Sequence, residues 1–283
     1  MKDTTPTGLQ LRVPFSAYLA HEAWGSSSLH AMRIGPPARV IWDRENSRED
    51  TDATRLGHAV HCLLLTPDLF ASTYAHKPEG MTFASKEGKA WRDAHAGLCI
   101  LSDDEWHRVE AIVDSLHAKR AVSESLAQSD ATEGTLFWTC PASGESCKAR
   151  PDWIEGRSIY DLKVSRVASN RGTLPLRAFA SGWMHQLAHY RTGALVNGLD
   201  ITRGRLVIVD PEPPHFVWTV EVKTDALDLL ELENLETLKA MRACRMSEDW
   251  PGTPEEWVKV EPPASAMVAL GGSFEGMDTE SEA

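Results

Sequence analysis

Apolar residues recur at helical spacing through the first 130 positions and change to alternation near Glu133. Residues 26–34 (SSSLHAMRI) open with serines able to cap a short helix, and Pro36-Pro37 stops it. A second helix is predicted from Asp52 to Leu65, with Leu56, Val60, Leu63 and Leu64 on one face and Thr66-Pro67-Asp68 as terminator. A third follows Ser102, whose spacing to Glu105 makes a capping box. Trp106, Val109, Ile112, Val113 and Leu116 supply its apolar stripe.

Beyond Glu133 the segments EGTLFWTC (133–140), SCKARPDWI (146–154) and SIYDLKVS (158–165) are short, alternating and separated by glycine-containing turns, which predicts antiparallel strands. A helix from about Leu176 to Val196 comes next, then strands RGRLVIVD and HFVWTVEV, then a long helix from about Asp225 to Met246. The order β-β-β-α-β, closed by a helix, predicts an α/β sandwich with a mixed central sheet flanked by helices, rather than a doubly wound fold. Residues 1–130 form its helical N-terminal part and residues 131–250 its core. Residues 251–283 read as an acidic, loosely ordered tail.

The turn Glu155-Gly156-Arg157-Ser158 fixes a register. With Gly156 and Arg157 as its central residues, Trp153 falls opposite Tyr160, Asp152 opposite Asp161 and Arg150 opposite Lys163. Opposed residues share a face, with Cβ atoms about 4.5–5.5 Å apart. Two carboxylates that close repel, and a divalent cation with a preference for hard oxygen ligands offsets them. Alternation puts Lys163 on the face of Asp161, where it can assist a metal-bound water or a phosphate in its transition state. A solvated polar face with salt bridges is the competing interpretation of the acid-x-lysine triplet alone.

A formal net charge of −12 runs against nucleic-acid binding until its distribution is considered. From Pro251 to Ala283 there are seven acidic residues against Lys259 alone, so half of the imbalance lies in the tail. Between Cys140 and Arg177 the sign reverses: Lys148, Arg150, Arg157, Lys163, Arg166, Arg171 and Arg177 face Glu145, Asp152, Glu155 and Asp161. The five cysteines are scattered without a CxxC pair, which argues against a disulfide framework and for a reducing compartment. No run of eighteen apolar residues and no secretory layout at the N-terminus is present, so a soluble intracellular protein is expected, with no membrane partner. The P-loop pattern GxxxxGK[ST] is absent, so no ATP-driven motor is expected.

Pro151-Asp152 followed by Asp161-Leu162-Lys163 resembles the signature of the PD-(D/E)XK nuclease superfamily. The stretch CKARPDWI…IYDLKVS looks like its exonuclease VIII (RecE) branch, with a RecB-type nuclease domain. Gln186-Leu187-Ala188-His189-Tyr190 matches the QxxxY motif of that branch, and Phe179, Trp183, Gln186 and Tyr190 fall on one helical face. Gly57-His58-Ala59-Val60-His61 resembles the helix that supplies a further metal ligand, His61 by that match. His58, His61 and Cys62 as a zinc cluster lack a fourth ligand. Glu133 occupies a position where many relatives carry an acidic ligand.

The resemblance implies a restriction-endonuclease-like core and Mg2+, with Mn2+ as substitute, held by Asp152 and Asp161 with His61 and Glu133. It makes Asp152, Asp161, Lys163, Gln186 and Tyr190 the catalytic set. No iron-sulfur cluster is expected, because Cys244 alone follows Cys147. It further implies ATP-independent 5′-to-3′ degradation of one strand of linear duplex DNA in a phage or prophage system of a bacterial cytoplasm. A homo-oligomeric ring and a single-strand annealing protein are the partners such systems use. A single-strand-specific or nicking nuclease keeps the fold and changes the substrate. A catalytically silent DNA-binding relative would have no chemical reason to keep opposed carboxylates.

Overall fold

The computed structural model describes residues 8–46, 50–166 and 171–259. Up to residue 130 the chain is mainly helical: β1 (Gly8–Gln10), α1 (Phe15–Ala20), α2 (Ser26–Ile34), α3 (Ala38–Glu45), α4 (Asp52–Leu65), α5 (Pro67–Thr73), β2 (Tyr74–His76), α6 (Lys86–Ala94), β3 (Cys99–Leu101), α7 (Asp103–Ala118) and α8 (Arg120–Ala127). The strands β4 (Ala131–Thr132), β5 (Thr135–Thr139), β6 (Ser146–Ala149), β7 (Trp153–Glu155) and β8 (Ser158–Val164) follow. Then come α9 (Leu174–Ala180), α10 (Trp183–Val196), β9 (Arg203–Val209), β10 (Val217–Val222) and α11 (Thr224–Ser247). Ser102 and Glu105 make the expected reciprocal cap on α7. Among the described residues no helix is long and apolar enough to cross a membrane.

The central sheet has five strands in the order β10-β9-β8-β7-β4, with β8 and β9 parallel and the other neighbours antiparallel. Alternation along its strands divides the apolar residues between two layers. Ile154, Ile159, Leu206 and Ile208 pack with Leu187 and Ala188 of α10 and Leu227 and Leu230 of α11. Trp153, Tyr160, Leu162, Val207 and Val209 face the other way, against Val60 and Leu64 of α4 and Val109 and Ile112 of α7. Each such side chain removed from water contributes roughly 1.5–3 kcal/mol, so both faces must be covered for the sheet to stand. Helices α4, α5, α7 and α8 therefore supply one of the two layers, while Leu29 of α2 and Val40 of α3 join the other. Asp161 and Lys163 alternate onto the α10 layer.

Several expected boundaries move, each for a local reason. The segment 146–154 is two strands in two sheets: β6 pairs with β5 in a three-stranded sheet β1-β5-β6, and β7 belongs to the central one. Pro151 has no N–H to donate to a ladder, and the chain changes sheets there. The helix expected over 176–196 is interrupted at Gly182, whose φ of +75° ends α9. A Cβ there would meet His30 Nδ1 at 2.5 Å, so backbone and space both call for glycine. Glu133 does not open a strand; with φ +51° it lies in the bend between β4 and β5. Thr66 ends α4, yet Pro67 begins α5 at a first-turn position where a missing N–H costs nothing. Of the acidic tail, residues 251–259 are described and carry no helix or strand; the remainder lies outside the described residues.

Candidate functional site

The β7–β8 hairpin has the expected register, with Trp153 opposite Tyr160, Ile154 opposite Ile159 and Glu155 opposite Ser158. Gly156 takes φ +52° in the turn, and its N–H donates to Asp130 Oδ2 at 2.7 Å. The ladder ends at Trp153. Asp152 is therefore not a ladder partner of Asp161: its N–H donates to the Tyr160 carbonyl at 3.1 Å, and its Oδ2 accepts from the Leu162 N–H. Nor does Arg150 stand opposite Lys163. The change of sheet at Pro151 turns Arg150 toward Glu133, whose Oε2 accepts from its Nε, and toward the Val13 carbonyl at 2.7 Å.

His61 reaches the same hairpin end from α4. Its Nδ1 donates to the Gly57 carbonyl, four residues back, at 2.9 Å, which leaves Nε2 directed inward. That Nε2 is 3.2 Å from both Asp152 Oδ2 and the Leu162 carbonyl oxygen. Burial opposes protonation of His61, but the Asp152 charge and hydrogen bond outweigh it and push the imidazole up to about 9. Burial likewise favours neutral Asp152, and His61 with Lys163 holds it below its ordinary value. Without metal, His61 is thus the counter-charge of Asp152.

Asp161 is in the opposite condition. It is 2% exposed, and burial pushes it up to about 6, with the Asp152 charge adding to the rise and Lys163 opposing it. Lys163 Nζ is 2.7 Å from Asp161 Oδ2, a close ion pair whose charge and contact both lower the Asp161 pKa although its geometry is off that of an aligned hydrogen bond, and that oxygen has no other partner. Lys163 instead donates to Gln186 Oε1 at 2.9 Å, and Gln186 Nε2 donates to the Tyr190 hydroxyl. Gln186 and Tyr190, one turn apart on α10, thus orient the lysine. Phe179 does not share this face, because the break at Gly182 separates it into α9, where it packs on His185, whereas Trp183 opens α10 and packs against the apolar core. His189, inside the same motif, is a core residue: its Nε2 donates to the Lys148 carbonyl and burial lowers it to about 4.

The structure therefore brings His61, Asp152, Asp161, Lys163, Gln186 and Tyr190 to one hairpin end. Glu133 is a neighbour, linked through its N–H to the Asp152 carbonyl at 2.8 Å, but its carboxylate is engaged by Arg150. Burial and the Asp152 charge raise Glu133, against the pull of Arg150. His58 is half-exposed and pairs with Asp50 at 3.3 Å, away from His61 Nε2. The donors fit a hard divalent ion in kind: two carboxylates, one with an unaligned buried oxygen, an imidazole nitrogen and a carbonyl. They are not drawn tightly together. Among the described residues, the group of three whose ligand atoms all lie within 4.8 Å of one another is His76, Asp103 and His107.

The residue pattern missed three participants. The Leu162 carbonyl leaves no trace in side-chain identity. Arg150 was legible as a base, but its partner depended on where the chain changed sheets. Lys148 donates to the Tyr18, Leu19 and His21 carbonyls at 2.7, 3.1 and 2.7 Å, which fixes α1 beside the site. The basic character of residues 140–177 is correspondingly less available than charge counting implied, since Arg157 pairs with Asp200 and Arg166 with Glu212. Arg171 and Arg177 are exposed.

No protein-family model matches this chain, and no curated protein matches it in sequence. Its fold is similar to the crystal structure of a putative exonuclease from Eubacterium rectale. The TM-score is 0.59 at 14% identity, covering 94% of this chain and 100% of that one. At that identity the likeness is one of fold.

Proposed function

We propose that the protein is a divalent-metal-dependent nuclease of PD-(D/E)XK type, with Asp152, Asp161 and Lys163 at its centre. The observation that carries this reading is Asp161: a buried carboxylate raised in pKa, with an oxygen no aligned donor satisfies, beside a second carboxylate and an oriented lysine. The similarity of fold to the Eubacterium rectale protein supports it. Asp152 and Asp161 would hold Mg2+ or Mn2+, with His61 Nε2 as a third donor. Bound there, the ion supplies Lewis-acid polarisation of a phosphate and a more acidic water. Lys163 orients the attacking water and stabilises charge on the phosphate. Gln186 and Tyr190 hold Lys163 in place, and Glu133 stays a structural partner of Arg150.

The substrate in this reading is linear duplex DNA, degraded on one strand from its 5′ end without ATP, as phage-type recombination requires. Digestion of 5′-labelled and 3′-labelled duplex in Mg2+, beside closed circular DNA and an EDTA control, tests it. Early release of the 5′ label with circular DNA intact is the expected outcome. Early release of the 3′ label reverses the polarity, nicked circles make the enzyme an endonuclease, and inertness toward all three with Mg2+ or Mn2+ refutes the nuclease.

A further inference from the structure

His76 at the end of β2 and Asp103 and His107 in the first turns of α7 form a cluster on the layer that covers the Tyr160 face of the sheet. His76 Nε2 is 2.8 Å and His107 Nε2 3.7 Å from the same atom, Asp103 Oδ1. Ligand atoms around a tetrahedral ion with bonds of about 2.0–2.2 Å stand roughly 3.3–3.6 Å apart, and these separations straddle that range.

The surroundings fix which nitrogens face inward. His107 Nδ1 is 3.1 Å from Glu110 Oε2, and a carboxylate there requires that Nδ1 carry the proton. Nε2 is then the nitrogen that faces Asp103 Oδ1 and the one open to a cation between them. A carboxylate behind the distal nitrogen is also the usual support of a metal-bound histidine. Glu110 is itself fixed, since its Oε1 accepts from Trp106 Nε1 at 2.9 Å. The Trp106 ring lies at 7° to the His76 ring with centroids 4.8 Å apart, and packs on Phe70 behind it. Both imidazole planes are thus set by one tryptophan and one glutamate.

We propose that His76, Asp103 and His107 form a second metal site, for a zinc-class divalent ion, that clips β2 to the start of α7. Two imidazoles and one carboxylate suit Zn2+, Co2+ or Ni2+ rather than Mg2+, so the site differs in chemistry from the hairpin. His107 is exposed, which leaves the fourth position to water. The proposal does not depend on the hairpin being nucleolytic.

Zn2+ titration of the EDTA-stripped, dialysed full-length protein against a chromophoric chelator tests it, with Co2+ absorption as a second readout. The expected result is that His107→Ala loses one bound equivalent and the tetrahedral Co2+ bands, while Asp161→Asn keeps both. Glu110→Gln, which leaves all three ligands in place, should weaken that equivalent by about tenfold or more. Zinc should raise the melting temperature of Asp161→Asn but not of the double variant that adds His107→Ala. Equal zinc stoichiometry and affinity in wild type and His107→Ala would overturn the site.

Discussion

Glu145 and Asp161 are buried almost equally, at 3% and 2% exposure, and their circumstances are opposite. Glu145 accepts from Trp24 Nε1 at 2.8 Å and from Arg245 through both Nε and Nη2, so α11 is tied to the β5–β6 turn by aligned donors. Burial alone would raise its pKa, yet those bonds hold it below the ordinary carboxylate value. Asp161 has a cation equally close but unaligned, and its pKa is raised. A buried carboxylate with its lone pairs filled is a structural tie; one left short of donors is held ready for something else.

The strongest way to break this contrast is to remove the acid. Asp161→Asn is expected to lower DNA cleavage by about 10⁴ or more, as for groups that act as a unit, while the melting temperature in EDTA stays level or rises because a like-charge repulsion with Asp152 is gone. Retained cleavage in a labelled-duplex assay would move the chemistry elsewhere. Lys163→Arg comes next. Arginine keeps the charge but not the compact, titratable head that Gln186 orients, so turnover should fall by about a hundredfold with DNA affinity kept. Near-normal turnover would leave Lys163 a screening charge only.

The sequence showed the hairpin because its information is local: a two-residue turn and alternation suffice to put Asp161 and Lys163 on one face. The helix carrying Gln186 and Tyr190 was equally plain, since one turn of a helix needs no tertiary knowledge. Legibility stopped where a partner lay across a chain reversal. Whether Arg150 met Lys163 or Glu133 depended on Pro151 moving the chain between sheets. The Glu145 tie was hidden for the same reason, its donors coming from Trp24 and Arg245 at opposite ends of the chain. The helix expected over 176–196 breaks at Gly182 because of His30, a residue remote in sequence that occupies the space beside it.

A smaller effect should separate the two acids by stability. Glu145→Gln leaves Arg245 facing an amide and is expected to cost about 2 kcal/mol by urea denaturation, a value discounted for the half-exposed arginine. The pH dependences should run in opposite directions. The folded pKa of Glu145 is depressed, so its contribution is full above the ordinary value of 4.5 and is lost as pH falls through the folded pKa. Asp161 is raised from 3.8 to about 6, so the metal-free folded state binds a proton that the unfolded state has released. Its ionisation costs stability as pH rises from about 4 to 6. In EDTA the penalty of Glu145→Gln should therefore grow as pH rises toward 4.5 and level off above it, and the benefit of Asp161→Asn should grow between about pH 4 and 6. Parallel curves would mean that the two carboxylates are not in opposite states.

The finest test asks whether alignment or mere proximity of charge satisfies Glu145. Arg242 Nη1 lies 4.0 Å from Glu145 Oε1 on a side chain 45% exposed, and its hydrogen bond goes to the Ser143 carbonyl instead. Arg245 is about equally exposed but holds the carboxylate through both nitrogens. An unaligned, solvated cation is worth little, so Arg242→Ala should change unfolding free energy by no more than about 0.5–1 kcal/mol, and Arg245→Ala should cost roughly twice that. If the two substitutions cost the same, nearby charge alone satisfies a buried carboxylate. Asp161, with Lys163 at 2.7 Å, would then be satisfied too, and its unaligned oxygen would cease to distinguish the candidate site from an ordinary structural tie.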